Sequence, residues 1–160
     1  MIGFRMEEVM TGTHKIVGQH EERFMEFRIK WGSNNILECF NPLHENFLLQ
    51  ELYGDIIIDG ICGATPCYGT LHLNYPKGYL EYQIFFNYLG KDYFYKGTKK
   101  NLRPWNLHKT HTTCYGTLYR KNHQGSRFLW DIVSDSVVYF RLNTLLTFLK
   151  SFRLMRGNNG

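Results

Sequence analysis

The chain has 160 residues, 43% hydrophobic and 21% charged, with a formal net charge of +5. That is enough apolar material for one core and too much for a disordered chain, so a single domain over residues 1–160 is expected. No window approaches the roughly 18 consecutive apolar residues of a membrane-spanning helix, and MIGFRMEEVM lacks the basic and apolar runs of a signal peptide.

Alternation dominates the pass along the chain. Strands are expected near 4–17, 47–59, 66–75, 110–120 and 126–133. In FMEFRIKW, residues Met25, Phe27, Ile29 and Trp31 share one face, and Glu26, Arg28 and Lys30 take the other. NPLHENF at 41–47 reads as a loop or one short helical turn. In YLEYQIFFNY, the residues Leu80, Tyr82, Ile84, Phe86 and Tyr88 share a face. YLGKDYFYKG then reads as a hairpin with Gly90 in the turn. Turn signals at WGSNN, DGICGATP, YPKG and NHQG separate the strands. Aromatic content of 16%, with 11 Tyr and 12 Phe, also favours pleated surfaces. A helix is expected at about 135–152, where Val138, Leu142, Leu145, Leu149 and Phe152 form an apolar stripe and Ser134 or Asp135 could cap it. The fold class is therefore mainly β: one antiparallel barrel with a C-terminal amphipathic helix, a two-sheet sandwich being the alternative.

The pentapeptide CYGTL occurs twice, at 67–71 and 114–118. Alternation puts Cys67, Gly69 and Leu71 on one face, and Cys114, Gly116 and Leu118 on the equivalent face. A glycine within a strand asks for a reason: a bulge, a tight bend, or an aromatic ring crossing the bare backbone.

Motif chemistry is sparse. There is no Walker loop, GxGxxG, GxSxG or HExxH, so no cofactor is implied. The four cysteines form no C-x-x-C pair, and reduced thiols in a soluble, cytoplasmic protein are expected. His108, His111 and Cys114 stand three residues apart. Such steps alternate faces on a strand, and with Cys62, Cys67 and His72 they match no strong zinc pattern, so no metal site is assigned. The carboxylates Glu7, Glu8, Asp131 and Asp135 read as surface groups.

Charge is divided unevenly. Residues 1–60 carry 5 Lys+Arg and 10 Asp+Glu, whereas residues 61–160 carry 14 and 4. Residues 91–109 hold six of the basic groups with Tyr93, Phe94, Tyr95 and Trp105 interleaved. Lys96, Lys99, Lys100 and Arg103 are the candidate anion-binding residues, for single-stranded nucleic acid or an anionic membrane. The plain alternative is a solvated loop beside core aromatics.

EEVMTGTH, the FMEFRIKW alternation, LYGDIIIDG…PCYGTL and YQIFFN…GKDYFYKGTKK, over roughly residues 4–155, resemble the β-rich module that accompanies bacterial cholesterol-oxidase-like flavoproteins of the glucose–methanol–choline group. The chain also resembles a calycin, the lipocalin-type barrel class. No flavin-binding segment is present, so oxidation chemistry does not carry over; the resemblance implies lipid or sterol association. The leading expectation is a barrel that binds a small apolar or amphipathic ligand, with Phe27, Trp31, Tyr75, Tyr82, Phe86 and Tyr88 as lining residues. A binding module for an anionic partner and a motif-poor enzyme at the barrel mouth are the alternatives.

Overall fold

The computed structural model describes residues 2–102, 105, 112–124, 126–140, 150 and 153–156. Among the described residues nine strands follow one another: β1 Ile2–Ile16, β2 Glu22–Ser33, β3 Leu49–Ile58, β4 Cys62–Asn74, β5 Tyr79–Tyr88, β6 Lys91–Lys100, β7 Thr113–Gln124, β8 Arg127–Phe140 and β9 Arg153–Arg156. A four-residue helix, α1 Ile36–Cys39, lies between β2 and β3, and a single 3-10 turn, Tyr75–Lys77, joins β4 to β5. Each strand from β1 to β8 pairs antiparallel with the next, and β8 pairs back onto β1. Eight strands thus close into an up-and-down barrel, the antiparallel barrel expected from the alternation, and consistent with the resemblance to a calycin. β9 extends the wall by pairing with Ile2–Arg5, while β8 covers Met10–Ile16 of the same strand edge.

The two ends of the barrel differ. One end carries short turns, at 17–21, 59–61, 89–90 and 125–126. Among the described residues, the connections at the other end include the longer stretch 34–48.

Strand periodicity decides what fills the lumen. Met25, Phe27, Ile29 and Trp31 of β2 point inward, as do Leu52, Ile56 and Ile58 of β3 and Leu80, Tyr82, Ile84 and Phe86 of β5. Each fully buried side chain of this size contributes about 1.5–3 kcal/mol. Strands β2 and β6 stand on opposite sides of the ring, and so do β1 and β5. The Phe27 and Tyr95 rings nevertheless meet at 5.8 Å, and the Tyr82 hydroxyl reaches Glu8. Side chains therefore cross the lumen at two levels.

The expected C-terminal helix is corrected where it can be compared. Ser134–Phe140 is the last part of β8, extended and paired with both β1 and β7. Residues 141–149 and 151–152 lie outside the described residues. The reason for the strand is register: Ser134, Ser136 and Val138 fall inside while Asp135, Val137 and Tyr139 fall outside, so alternation over these seven residues outweighs the helical spacing that begins at Val138. Asp135 caps nothing here; it accepts a 2.7 Å hydrogen bond from the Thr117 hydroxyl across the β7–β8 pair.

The two copies of CYGTL do occupy equivalent strand positions, with Cys67, Leu71, Cys114 and Leu118 all buried. Their glycines answer different needs. A Cβ on Gly69 would overlap the Gln83 carbonyl, because the β5 backbone approaches closely there. A Cβ on Gly116 would overlap the hydroxyl and ring of Tyr95, which lies across the bare β7 backbone. The first glycine permits a tight strand approach and the second an aromatic crossing.

Candidate functional site

Two places in the fold gather chemistry, one inside the barrel and one on its outer wall. The inner one begins with alternation that runs further than apolar residues do. Phe4, Met6, Glu8 and Met10 of β1 share the inward face, and so do Tyr93, Tyr95, Gly97 and Lys99 of β6. Glu8 is 6% exposed and Lys99 2% exposed. They form an ion pair with the Lys99 Nζ 3.1 Å from a Glu8 oxygen. The Tyr82 hydroxyl donates to the same carboxylate, 3.0 and 3.1 Å from its two oxygens, and the Lys99 ammonium stands 5.3 Å from the Tyr82 ring centre. Mutual compensation of this kind is what allows two charges to sit in an apolar lumen. Burial, and then the charge of Glu8, push the Tyr82 phenol well above its ordinary range, so it remains a hydrogen-bond donor.

Cys114 lies beside this cluster with no exposure. Burial pushes its thiol up to about 12, outweighing the opposing charge of Lys99. A thiol held that high and that deep is no nucleophile at neutral pH. Cys67 is likewise pushed up to about 12, by burial first and the charge of Asp55 second. Among the described residues, no group of three or more His, Cys, Asp or Glu side chains is placed to hold a metal ion; His108 and His111 lie outside those residues.

Of the aromatic residues expected to line a ligand site, Phe27, Trp31, Tyr82 and Phe86 are buried inside the barrel. Tyr88 packs half-buried against the core. Tyr75 departs from the strand alternation: it opens the 3-10 turn and is 46% exposed. Burial around its hydroxyl, and then the charge of Glu8, still raise that phenol.

The four candidate anion-binding residues do not stay together. Lys96 is on the outer wall, 3.6 Å from Glu81, and Lys100 is exposed at the end of β6. Lys99 points the opposite way, into the lumen, and is no part of an exposed basic surface. Arg103 lies outside the described residues.

The outer site comes from strand register. Tyr68 of β4 pairs with Phe85 of β5, Phe85 with Phe94 of β6, and Phe94 with Tyr119 of β7. All four point outward, and their rings stack in sequence at 6.0, 4.8 and 5.8 Å. Such cross-strand aromatic pairs stabilise a sheet by about 0.5–1.5 kcal/mol each. The ladder does not end there. A register shift at Leu118–Tyr119 skips Val133, which brings Ile132, Trp130 and Phe128 of β8 to the same outer face. Trp130 meets Phe94 edge-on at 5.8 Å. The Lys121 ammonium lies 4.5 Å from the Phe128 ring centre, a cation–π contact. Tyr68, Phe128 and Ile132 are each more than half exposed. A groove of about 280 Å³ runs between Tyr68, Phe85, Asn87, Asp92, Lys121 and Trp130.

The sequence alone did not point to this face. Phe85 and Phe94 face each other within one hairpin, but Tyr68 and Tyr119 are distant in the chain, and the register of three strand pairs makes the four neighbours. Among the described residues no helix is long and apolar enough to cross a membrane. Compared with protein-family models, with curated proteins and with solved structures, the chain matches none.

Proposed function

We propose that the protein is a binding module for an anionic partner, with the filled barrel as a rigid scaffold and the outer aromatic face of β4–β8 as the contact surface. The observation that carries this reading is the exposed band from Tyr68 to Phe128, with Lys121 against it and the exposed Arg127 at the tip of the same hairpin. Contiguous exposed apolar surface with a basic rim is the signature of an interaction site. The expected behaviour is binding to anionic probes that weakens as salt rises, because the cations release counterions or lose screening-sensitive attraction. Binding of a labelled single-stranded oligonucleotide and of phosphatidylserine vesicles at low and high salt tests it. Absence of binding to both at low salt sinks the reading.

A second reading is a small amphipathic ligand in the lumen, taken up among Phe27, Trp31, Tyr75, Tyr82, Phe86 and Tyr88. One observation favours it: the Glu8–Lys99 pair with Tyr82 is a charged group set in a mostly apolar interior, as a head-group site would be. Such a ligand would have to displace side chains that now cross the lumen. Solvent extraction with mass spectrometry and titration with fluorescent fatty acids test it; no copurified lipid and no fluorescence change remove it.

A further inference from the structure

We infer that the anionic partner is a lipid surface, contacted by the β7–β8 end of the outer aromatic face together with the neighbouring turns at the short-turn end of the barrel; this deepens the anionic-partner reading and rests on it. Three of the four turns there each expose an apolar side chain close to a basic one. The β1–β2 turn exposes Val17 (60%) two residues after Lys15. The β5–β6 turn exposes Leu89 (83%) two residues before Lys91. The β7–β8 hairpin exposes Phe128 (61%), with Leu129 and Trp130 following it, between Arg127 and the Lys121 that covers the Phe128 ring. The three turns are neighbours, because the ring runs β5-β6-β7-β8-β1. Val17 is tied to the base of the β7–β8 hairpin through the Val133 carbonyl, at 2.9 Å.

Leu89 is the decisive residue. It and Gly90 have φ of 49° and 76°, the two positive values of a type I′ turn, where Asn-Gly is the favoured pair. Leucine is strained in this conformation, and here its side chain also stands in water. Within the fold it gains nothing in return, which is the mark of a residue held for contact outside the molecule. An apolar phase with an anionic border would accept Val17, Leu89 and Phe128 and attract Lys15, Lys91, Lys121 and Arg127 together. Trp130, on the same hairpin and 42% exposed, adds an indole of the kind that favours the bilayer interface.

The acids of this end other than Asp59, which is exposed in the fourth turn, have partners of their own. Glu21 pairs with Arg23, Asp92 accepts from Asn87, and Asp131 accepts from Asn122. Glu22 accepts a long bond from Thr13. The fourth turn, Asp59–Gly60–Ile61, carries no exposed apolar tip, so the contact is one-sided and the barrel axis is tilted to the surface. A nucleic acid fits less well. Base stacking needs open ring faces, whereas the ladder rings already cover one another, and Val17 and Leu89 are aliphatic.

The test is flotation with phosphatidylcholine vesicles, with and without phosphatidylserine, beside binding of a single-stranded oligonucleotide. The wild-type chain is expected to float with the phosphatidylserine vesicles only, and high salt should release it. Leu89→Asn should reduce vesicle affinity about tenfold while leaving the unfolding midpoint unchanged or higher, because asparagine suits the turn. Lys121→Gln and Arg127→Gln should each reduce it roughly fivefold. Oligonucleotide binding without vesicle binding overturns the lipid assignment and leaves the anionic-partner reading standing. Loss of both removes both. Full vesicle binding by Leu89→Asn overturns the role given to the turns.

Discussion

Replacing Lys99 by methionine removes one charge of the lumen pair while keeping most of the side-chain volume. Glu8 then keeps the Tyr82 hydroxyl as its remaining mapped hydrogen-bond donor, in a position only 6% exposed. Breaking a buried pair on one side costs about 3–5 kcal/mol; with Tyr82 still donating, about 3 kcal/mol is expected. Against a total stability of about 5–15 kcal/mol this is a large loss. Glu8→Gln alone should cost about 2 kcal/mol, since the amide can still accept from Lys99. The double variant Glu8→Gln/Lys99→Met leaves no charge in the lumen and should return to within about 1 kcal/mol of the wild type. Urea unfolding followed by tryptophan fluorescence, with slopes compared across the four proteins, measures the cycle. A loss below about 1 kcal/mol for Lys99→Met would mean that the pair is solvated like a surface salt bridge, and the filled-lumen description would fail.

The other predictions concern the glycine motif, the ladder and one histidine. Gly116→Val should destabilise by about 3 kcal/mol or prevent folding, because Tyr95 occupies the space. Cys114→Ala should cost only about 1 kcal/mol, and native thiols should be slow toward a disulfide reagent, all four cysteines being buried. Phe94→Ala removes stacking on Phe85 and Tyr119 and should cost about 1–3 kcal/mol in thermal or urea unfolding. His14 is buried with Nε2 on the Asp59 carbonyl at 2.8 Å, and burial lowers its pKa below the ordinary 6.5. Because the unfolded chain takes up that proton first, stability is full above about 6.5 and falls as pH drops through that value toward the lower folded one. His14→Gln should flatten this part of the stability profile; an unchanged slope between pH values above and below 6.5 would contradict the assignment.

Much of the barrel could be read from the chain because strand alternation is local. The inward sets of β2 and β5 follow from period two alone, and the equivalence of the CYGTL copies follows from the same rule. Lys99 was within reach of that rule: Tyr93, Tyr95, Gly97 and Lys99 alternate, but six basic residues in 91–109 drew the reading toward a loop. The start of the expected helix failed for a different reason. Val138 fits a helical stripe and a strand face equally, and pairing with Gly12 and Cys114 decides between them. The aromatic ladder was beyond local reading. It depends on the register of four strand pairs and on a one-residue shift in β8, and neither leaves a mark in any single segment.

In the proposed reading the outer wall and its turns are the working surface, and the lumen is their support. The most direct measurement compares two double variants for flotation with phosphatidylserine vesicles: Lys121→Gln/Arg127→Gln on the outer β7–β8 hairpin and Glu8→Gln/Lys99→Met in the lumen. The outer variant should lose most of its binding and the lumen variant should keep it. Retained binding by the outer variant, with loss in a folded lumen variant, would place the function inside the barrel instead.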